Sequence, residues 1–149
     1  MIEIERKFLV SRLDLLTESL KSGVEIQQAY ILVGEDRSLR VRLKGPRAFL
    51  TLKIGNDALK RFEFENEINK EEAMQMLTFC DRVLSKTRYE LKCGNHLWEI
   101  DFFHGKLEGL VLAEIELTEE SESFEKPHWL GEEVTHQPEY LNVNLIKKL

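Results

Sequence analysis

Strict alternation of charged and apolar side chains, repeated along seven separate stretches, is the feature of this sequence that most narrows its fold. Successive strand residues point to opposite faces, so a period of two sorts a chain into two surfaces. One surface carries Glu3, Glu5 and Lys7; Arg40, Arg42 and Lys44; Thr51 and Lys53; Arg61, Glu63, Glu65 and Glu67; Lys86, Arg88 and Glu90; Glu99 and Asp101; and Glu114 and Glu116. The other is almost wholly apolar: Ile2, Ile4 and Phe8; Leu39, Val41 and Leu43; Leu52 and Ile54; Phe62 and Phe64; Trp98, Ile100 and Phe102; Ala113, Ile115 and Leu117.

The same periodicity predicts eight strands, at about residues 1–10, 24–33, 37–44, 48–54, 59–68, 83–92, 96–103 and 110–118. Turn-forming groups separate them: Gly34-Glu35-Asp36, Gly45-Pro46, Gly55-Asn56-Asp57, Cys93-Gly94-Asn95 and Gly105. Helical spacing is confined to a few places. Ser11 is positioned to cap a helix over about 12–21, with Leu13, Leu16 and Leu20 on one face. Asn69, with Glu72 three residues on, precedes a helical stripe of Ala73, Met74, Met76, Leu77 and Cys80. Two short C-terminal helices are expected, near 119–126, ended by Pro127, and near 138–147, started by Pro138. With no repeat, low-complexity tract or linker, residues 1–149 read as one domain.

Composition excludes several function classes. The chain has 21 Lys and Arg against 27 Asp and Glu, a net charge of −6, which argues against general nucleic-acid binding. No apolar run approaches the roughly 20 residues of a membrane helix, and Met1 to Lys7 is charged where a signal peptide is apolar, so a cytoplasmic protein with no membrane partner is expected. Cys80 and Cys93 lack metal-binding spacing and read as reduced thiols. His96, His104, His128 and His136 fall in turns or loops and read as surface residues.

A sheet with one charged and one apolar face has two solutions: the charges face bulk water, or the sheet closes and the charges line its interior. Long Arg and Lys side chains recur here with almost no Ser, Asn or Gln among them, and acids recur as i, i+2 pairs. Such pairs sit about 6.6–6.8 Å apart on one face, within reach of a shared cation. Both features favour an α+β, mainly β, fold: a closed eight-stranded antiparallel β-barrel with a few helices packed outside. Unpaired charges inside a dry barrel carry a penalty of roughly several kcal/mol each, so the interior must be wet and fitted to a ligand. Cations for phosphate oxygens beside carboxylates for a hard divalent metal make that ligand a polyphosphate.

The residues also resemble a known family. Glu3-Ile4-Glu5-Arg6-Lys7 forms an ExExK signature, followed in order by Arg40-Val41-Arg42, Thr51-Leu52-Lys53, Arg61 to Glu65 as R-x-E-x-E, and Lys86-Thr87-Arg88. Trp98 to Asp101, Gly109-Leu110, Ala113 to Glu116, Gly131 to Thr135 and Tyr140-Leu141-Asn142 complete a pattern similar to that of the CYTH superfamily, the triphosphate tunnel metalloenzymes. The chain departs from it at Glu139, where many relatives carry a basic residue.

The resemblance implies a hydrophilic tunnel, a triphosphate substrate and dependence on Mg²⁺ or Mn²⁺, with two ions expected. Carried over by position, Lys7, Arg40, Arg42, Lys53, Arg61, Lys86 and Arg88 bind phosphates, and Glu3, Glu5, Asp101, Glu114 and Glu116 hold metal. Lys7, Glu63, Glu65 and Lys86 are the candidate catalytic residues, Glu63 and Glu65 either placing metal or water or simply pairing with Arg61. Hydrolysis of inorganic triphosphate leads. Thiamine triphosphatase or another organic triphosphatase, class IV adenylate cyclase and a non-catalytic polyphosphate or nucleotide binder stay open. An aromatic clamp for an organic substrate has Tyr30, Trp98 and Trp129 as candidates, although each reads first as core. A homodimer is a further family-like expectation.

Overall fold

The alternation closes on itself. In the computed structural model, which describes Met1–Leu149, nine strands form one antiparallel sheet: β1 Ile2–Val10, β2 Val24–Val33, β3 Arg37–Lys44, β4 Arg47–Ile54, β5 Lys60–Ile68, β6 Leu84–Cys93, β7 His96–Phe103, β8 Val111–Leu117 and β9 Leu130–Glu133. The order β5-β4-β3-β2-β6-β7-β8-β1 is joined at its ends by pairing of β1 with β5, which makes an eight-stranded barrel. Each of the eight matches its expected stretch within a residue or so, because half-buried strands carry their period in the sequence.

The barrel's seam runs along β1. Its residues Ile2 to Ile4 pair with β5, while Phe8 and Val10 pair with β9, a four-residue strand too short to show a period. The Glu5 amide donates to the Leu59 carbonyl and the Val134 amide to the Lys7 carbonyl, which continues the edge between the two partners. Two-residue turns close the β3–β4 and β6–β7 hairpins, with Gly45 and Gly94 at φ 56° and 61°, a backbone region that side chains with a Cβ disfavour.

Helices cover the apolar outer face. Helix α2, Lys70–Thr78, is capped as its sequence predicts, the Asn69 side chain accepting from the Glu71 and Glu72 amides, and it lays buried Ala73 over β2, β3 and β4. Helix α1, Leu13–Ser19, buries Leu16 among Ile4, Phe8, Ile100, Ala113, Ile115 and Trp98. There the rings of Phe8, Trp98, Phe124 and Trp129 meet edge to face at centroid distances of 5.4–5.9 Å. At one end the inner face itself turns apolar: Leu84, Phe103 and Leu112 share the parity of Lys86, Asp101 and Glu114. They pack with Val134, Leu145 and Ile146, so the C-terminal segment fills that end.

Three helical expectations are corrected. Residues 119–126 form a single turn, not a helix. The Glu122 carboxylate accepts from the Thr118 amide, and Phe124 is drawn into the aromatic cluster. Residues 138–147 break into a 3₁₀ turn at Pro138–Tyr140, helix α3 at Asn142–Leu145 and a second 3₁₀ turn at Ile146–Lys148, because Leu141 is extended. Ser11 does not cap α1; its hydroxyl donates to the Leu130 carbonyl, and Arg12 holds the cap position without a side-chain bond. No helix is long and apolar enough to cross a membrane.

Candidate active site

The barrel encloses a cavity of about 210 Å³. Its wall is the charged face foreseen from the alternation: Glu3, Glu5 and Lys7 from β1, Arg40 and Arg42 from β3, Thr51 and Lys53 from β4, Arg61, Glu63 and Glu65 from β5, Arg88 from β6, Glu99 from β7, and Glu114 and Glu116 from β8. The closed sheet brings together groups as far apart in sequence as Glu3 and Glu116, since β1 and β8 are neighbours.

Cations and acids are interleaved around this wall. Lys53 lies 2.9 Å from Glu3 and 3.3 Å from Glu63. Arg42 and Arg40 approach Glu65 at 3.3 Å and 3.6 Å, and the Thr51 hydroxyl donates to the same carboxylate at 2.6 Å. Arg88 reaches Glu99 at 2.9 Å, and Lys7 reaches Glu114 at 3.6 Å. Arg61 has no ion pair, so Glu63 and Glu65 pair with Lys53, Arg40 and Arg42 instead of the arginine on their own strand.

Two expected site residues lie off the wall. Asp101, placed by analogy among the metal ligands, is fully buried. One oxygen accepts from Arg88 Nε at 2.7 Å, the other from Arg88 Nη2 at 2.7 Å and from Lys86 Nζ at 2.6 Å. With both oxygens taken by cations, Asp101 positions Arg88 and Lys86. The cause is register: Arg88 and Asp101 are direct cross-strand partners. Lys86 is likewise fully buried, its Nζ separated from the cavity by Asn142 at 3.5 Å.

Depth sets the proton affinities. Burial pushes the Glu5 carboxyl up to about 8, and the neighbouring charge of Glu114 adds to the shift. Glu114 feels the same burial, but Lys7, Arg88 and Lys86 outweigh it and hold this carboxyl well below the usual range. Around Lys53, burial raises Glu63, whereas Glu3 ends below its ordinary value because Lys53 overcomes burial there. Glu116 is raised by burial and by the charges of Glu3, Glu63 and Glu99. Burial lowers Lys86 to about 8 despite Asp101, and lowers Arg42 to about 10 with help from Arg40 and Arg88.

The carboxylates fit a hard divalent cation. Glu5 lies against Glu114, acid facing acid, and Glu114 Oε1 is buried without a hydrogen-bond donor, whereas Lys53 already bridges Glu3 and Glu63. A proton or an oxygen-seeking cation relieves the Glu5–Glu114 contact. No three acidic or histidine side chains already converge on one point, so the donors are gathered but not preset.

Sequence reasoning missed part of the wall. Tyr30 and Ser38 face the cavity from β2 and β3, and Leu141, Asn142 and Val143 come from the C-terminal segment. Tyr30 reads from sequence first as core and second as an aromatic clamp, and Asn142 lies in a stretch with no period to read. Trp98 and Trp129 belong to the outer core and are unavailable as a clamp. None of the histidines reaches the cavity: His96 contacts Glu122, His104 contacts Thr87 at 2.7 Å and His136 contacts Asp57 at 3.2 Å.

Comparison with known proteins places this arrangement. The CYTH domain matches residues 1–149. The chain is 44% identical to an inorganic triphosphatase of Acetivibrio thermocellus over 147 residues, covering 97% of this chain and 93% of the relative. It is 36% identical to an inorganic triphosphatase of Nitrosomonas europaea, with 95% of each chain covered. The crystal structure of an inorganic triphosphatase superposes with a TM-score of 0.67 at 32% identity, over 99% of this chain and 95% of the other.

Proposed function

The chain belongs to the CYTH family, and from that membership we propose that it hydrolyses inorganic triphosphate, adding water across the terminal phosphoanhydride to release pyrophosphate and phosphate. The observation that carries this reading is the composition of the cavity: seven cations interleaved with carboxylates around about 210 Å³, beside relatives that share the whole domain and are themselves inorganic triphosphatases.

Transfer of a phosphoryl group through a loose, in-line transition state asks a protein mainly for position and countercharge. Lys7, Arg40, Arg42, Lys53, Arg61 and Arg88 supply both, from five strands held rigid by the barrel. Arg61, free of an acid partner, is open to the first phosphate that arrives, while Arg40, Arg42 and Lys53 exchange a carboxylate contact for a phosphate one. Asp101 fixes the Arg88 fork in two-pronged contact, so its guanidinium needs no reorganisation during reaction. Lys86 acts one layer down, where low dielectric carries its charge to the phosphates across Asn142. Glu63 and Glu65, beside the phosphate-holding cations, are placed to accept a hydrogen bond from the attacking water.

Glu3, Glu5, Glu114 and Glu116 are the residues that would hold Mg²⁺ or Mn²⁺, two ions in this reading. Bound there, the cation supplies Lewis acidity and countercharge to phosphoryl oxygens. A cation held there would displace the Glu5 proton and take over its role of screening Glu5 from Glu114.

Phosphate release from tripolyphosphate, ATP and thiamine triphosphate, with Mg²⁺, with Mn²⁺ and with chelator, tests the reading, alongside an assay for cyclic AMP. Fast, metal-dependent release from tripolyphosphate is expected, abolished in folded Lys7→Ala and Glu114→Ala variants. Turnover confined to an organic triphosphate, cyclic AMP formation, or tight binding without turnover overturns it in favour of a thiamine triphosphatase, a cyclase or a binding module.

A further inference from the structure

Leu141, Asn142 and Val143 are the only residues outside the strands at the cavity wall, and with Tyr140 they form a stretch that touches two site lysines. Lys7 Nζ donates to the Tyr140 carbonyl at 3.1 Å, and Lys86 Nζ to Asn142 Oδ1 at 3.5 Å. We infer that this stretch is part of the catalytic apparatus, holding the ammonium groups of Lys7 and Lys86 in place, with Asn142 a positioning residue for Lys86. The inference rests on the hydrolytic reading of the cavity given above.

The segment is anchored on both sides and can therefore serve as a fixed reference. Upstream, the Thr135 hydroxyl accepts from the Lys7 amide at 3.1 Å, and the Val134 amide donates to the Lys7 carbonyl at 2.8 Å. Downstream, Leu145 and Ile146 are buried in the apolar end of the barrel, and Arg82 Nη1 donates to the Lys147 carbonyl at 2.7 Å. Between these anchors the extended Leu141 turns Asn142 into the cavity.

The chemistry of the side chain matters as much as its position. An ammonium has three donors; on Lys86 one is spent on Asp101, and Asn142 takes a second without neutralising the charge. An amide oxygen thus directs Lys86 without adding a second countercharge to that of Asp101. At 3.5 Å the contact is long, as hydrogen bonds in a substrate-free site often are before substrate tightens them.

Steady-state kinetics on tripolyphosphate, with melting temperatures of the same preparations, test the inference. Asn142→Leu keeps the branched shape and removes the acceptor; kcat is expected to fall roughly tenfold, the low end for a hydrogen bond to a charged group, with KM unchanged. Asn142→Asp keeps the acceptor but adds a negative charge beside an anionic substrate; kcat is expected to survive while KM rises severalfold. A wild-type kcat in Asn142→Leu, or losses in both variants that track melting temperature without a kcat-against-KM split, overturns the positioning role alone. A wild-type chain inert towards tripolyphosphate overturns the hydrolytic reading, and this inference with it.

Discussion

Asp101 shows what one buried carboxylate does in this barrel. It compensates Lys86 and Arg88 where no solvent reaches, and the two cations and the register of β6 and β7 hold its pKa down against burial. Asp101→Asn leaves both cations short of a countercharge, a defect that costs roughly 3–5 kcal/mol when a buried pair is broken. Urea unfolding at neutral pH is expected to show that loss; an unchanged midpoint would mean that Glu99 and Glu114 suffice to compensate Arg88. Glu5 titrates in the opposite sense. Its carboxyl is raised from 4.5 to about 8, so the native state binds this proton more tightly than the unfolded chain does. Its contribution to the stability of the metal-free protein is therefore full below about pH 4.5 and is lost as pH rises through 8. Divalent metal must displace that proton. Calorimetric titration at pH 7 in buffers of different ionisation enthalpy is expected to report release of about one proton per Glu5 site, and none well above pH 8. Parity placed Glu5 and Asp101 on one inner face, and correctly so. It carries no information on depth, so it could not separate a wall carboxylate from one committed to two cations.

Elements follow their local signals wherever those signals are strong. Asn69 caps α2 because its side-chain oxygen reaches two free amides, at 2.9 Å from Glu71 and 3.2 Å from Glu72. Asn69→Ala is expected to cost about 1 kcal/mol in denaturant unfolding while leaving phosphate release intact, since α2 lies outside the barrel; a loss of turnover would show that α2 reports to the cavity through β3. The strands were legible because burial of one face imposes a period of two over seven to ten residues. The remaining elements were not, each for a tertiary reason. Strand β9 exists because β1 has a free edge beyond β5, and residues 118–129 run as turns and loop, not as a helix, because Phe124 and Trp129 are drawn onto Trp98. Asn142 owes its place to anchors on β1 and to the filled end of the barrel, contacts no local pattern encodes.

At the scale of the whole molecule, alternation specifies an apolar outer surface but not how much of it the helices cover. Helix α2 covers one end of β2, β3 and β4, and α1 with residues 118–130 covers β1, β7 and β8. The remainder is a bare sheet face with two registered rows: Leu32, Leu39, Leu52 and Phe64 across β2 to β5, and Ile54, Phe62 and Ile2 across β4, β5 and β1. Ile2, Leu32, Phe62 and Phe64 are 50%, 66%, 51% and 49% exposed. Large apolar side chains left about half exposed on one registered face are more than a monomer usually leaves contiguous in water. We propose that a second copy of the chain covers this face, since an apolar patch can pair with the same patch of another copy about a two-fold axis. Each copy carries a net charge of −6, so the copies repel at long range while the patch attracts at contact. Sedimentation equilibrium is therefore expected to show a dimer whose dissociation constant tightens as salt rises from 0.01 M to 0.15 M and the Debye length shrinks from about 30 Å to about 8 Å. Phe62→Glu with Phe64→Glu should give a monomer that still releases phosphate, because both rings point away from the cavity. A wild-type monomer at micromolar concentration would show that the bare face has no partner in this chain.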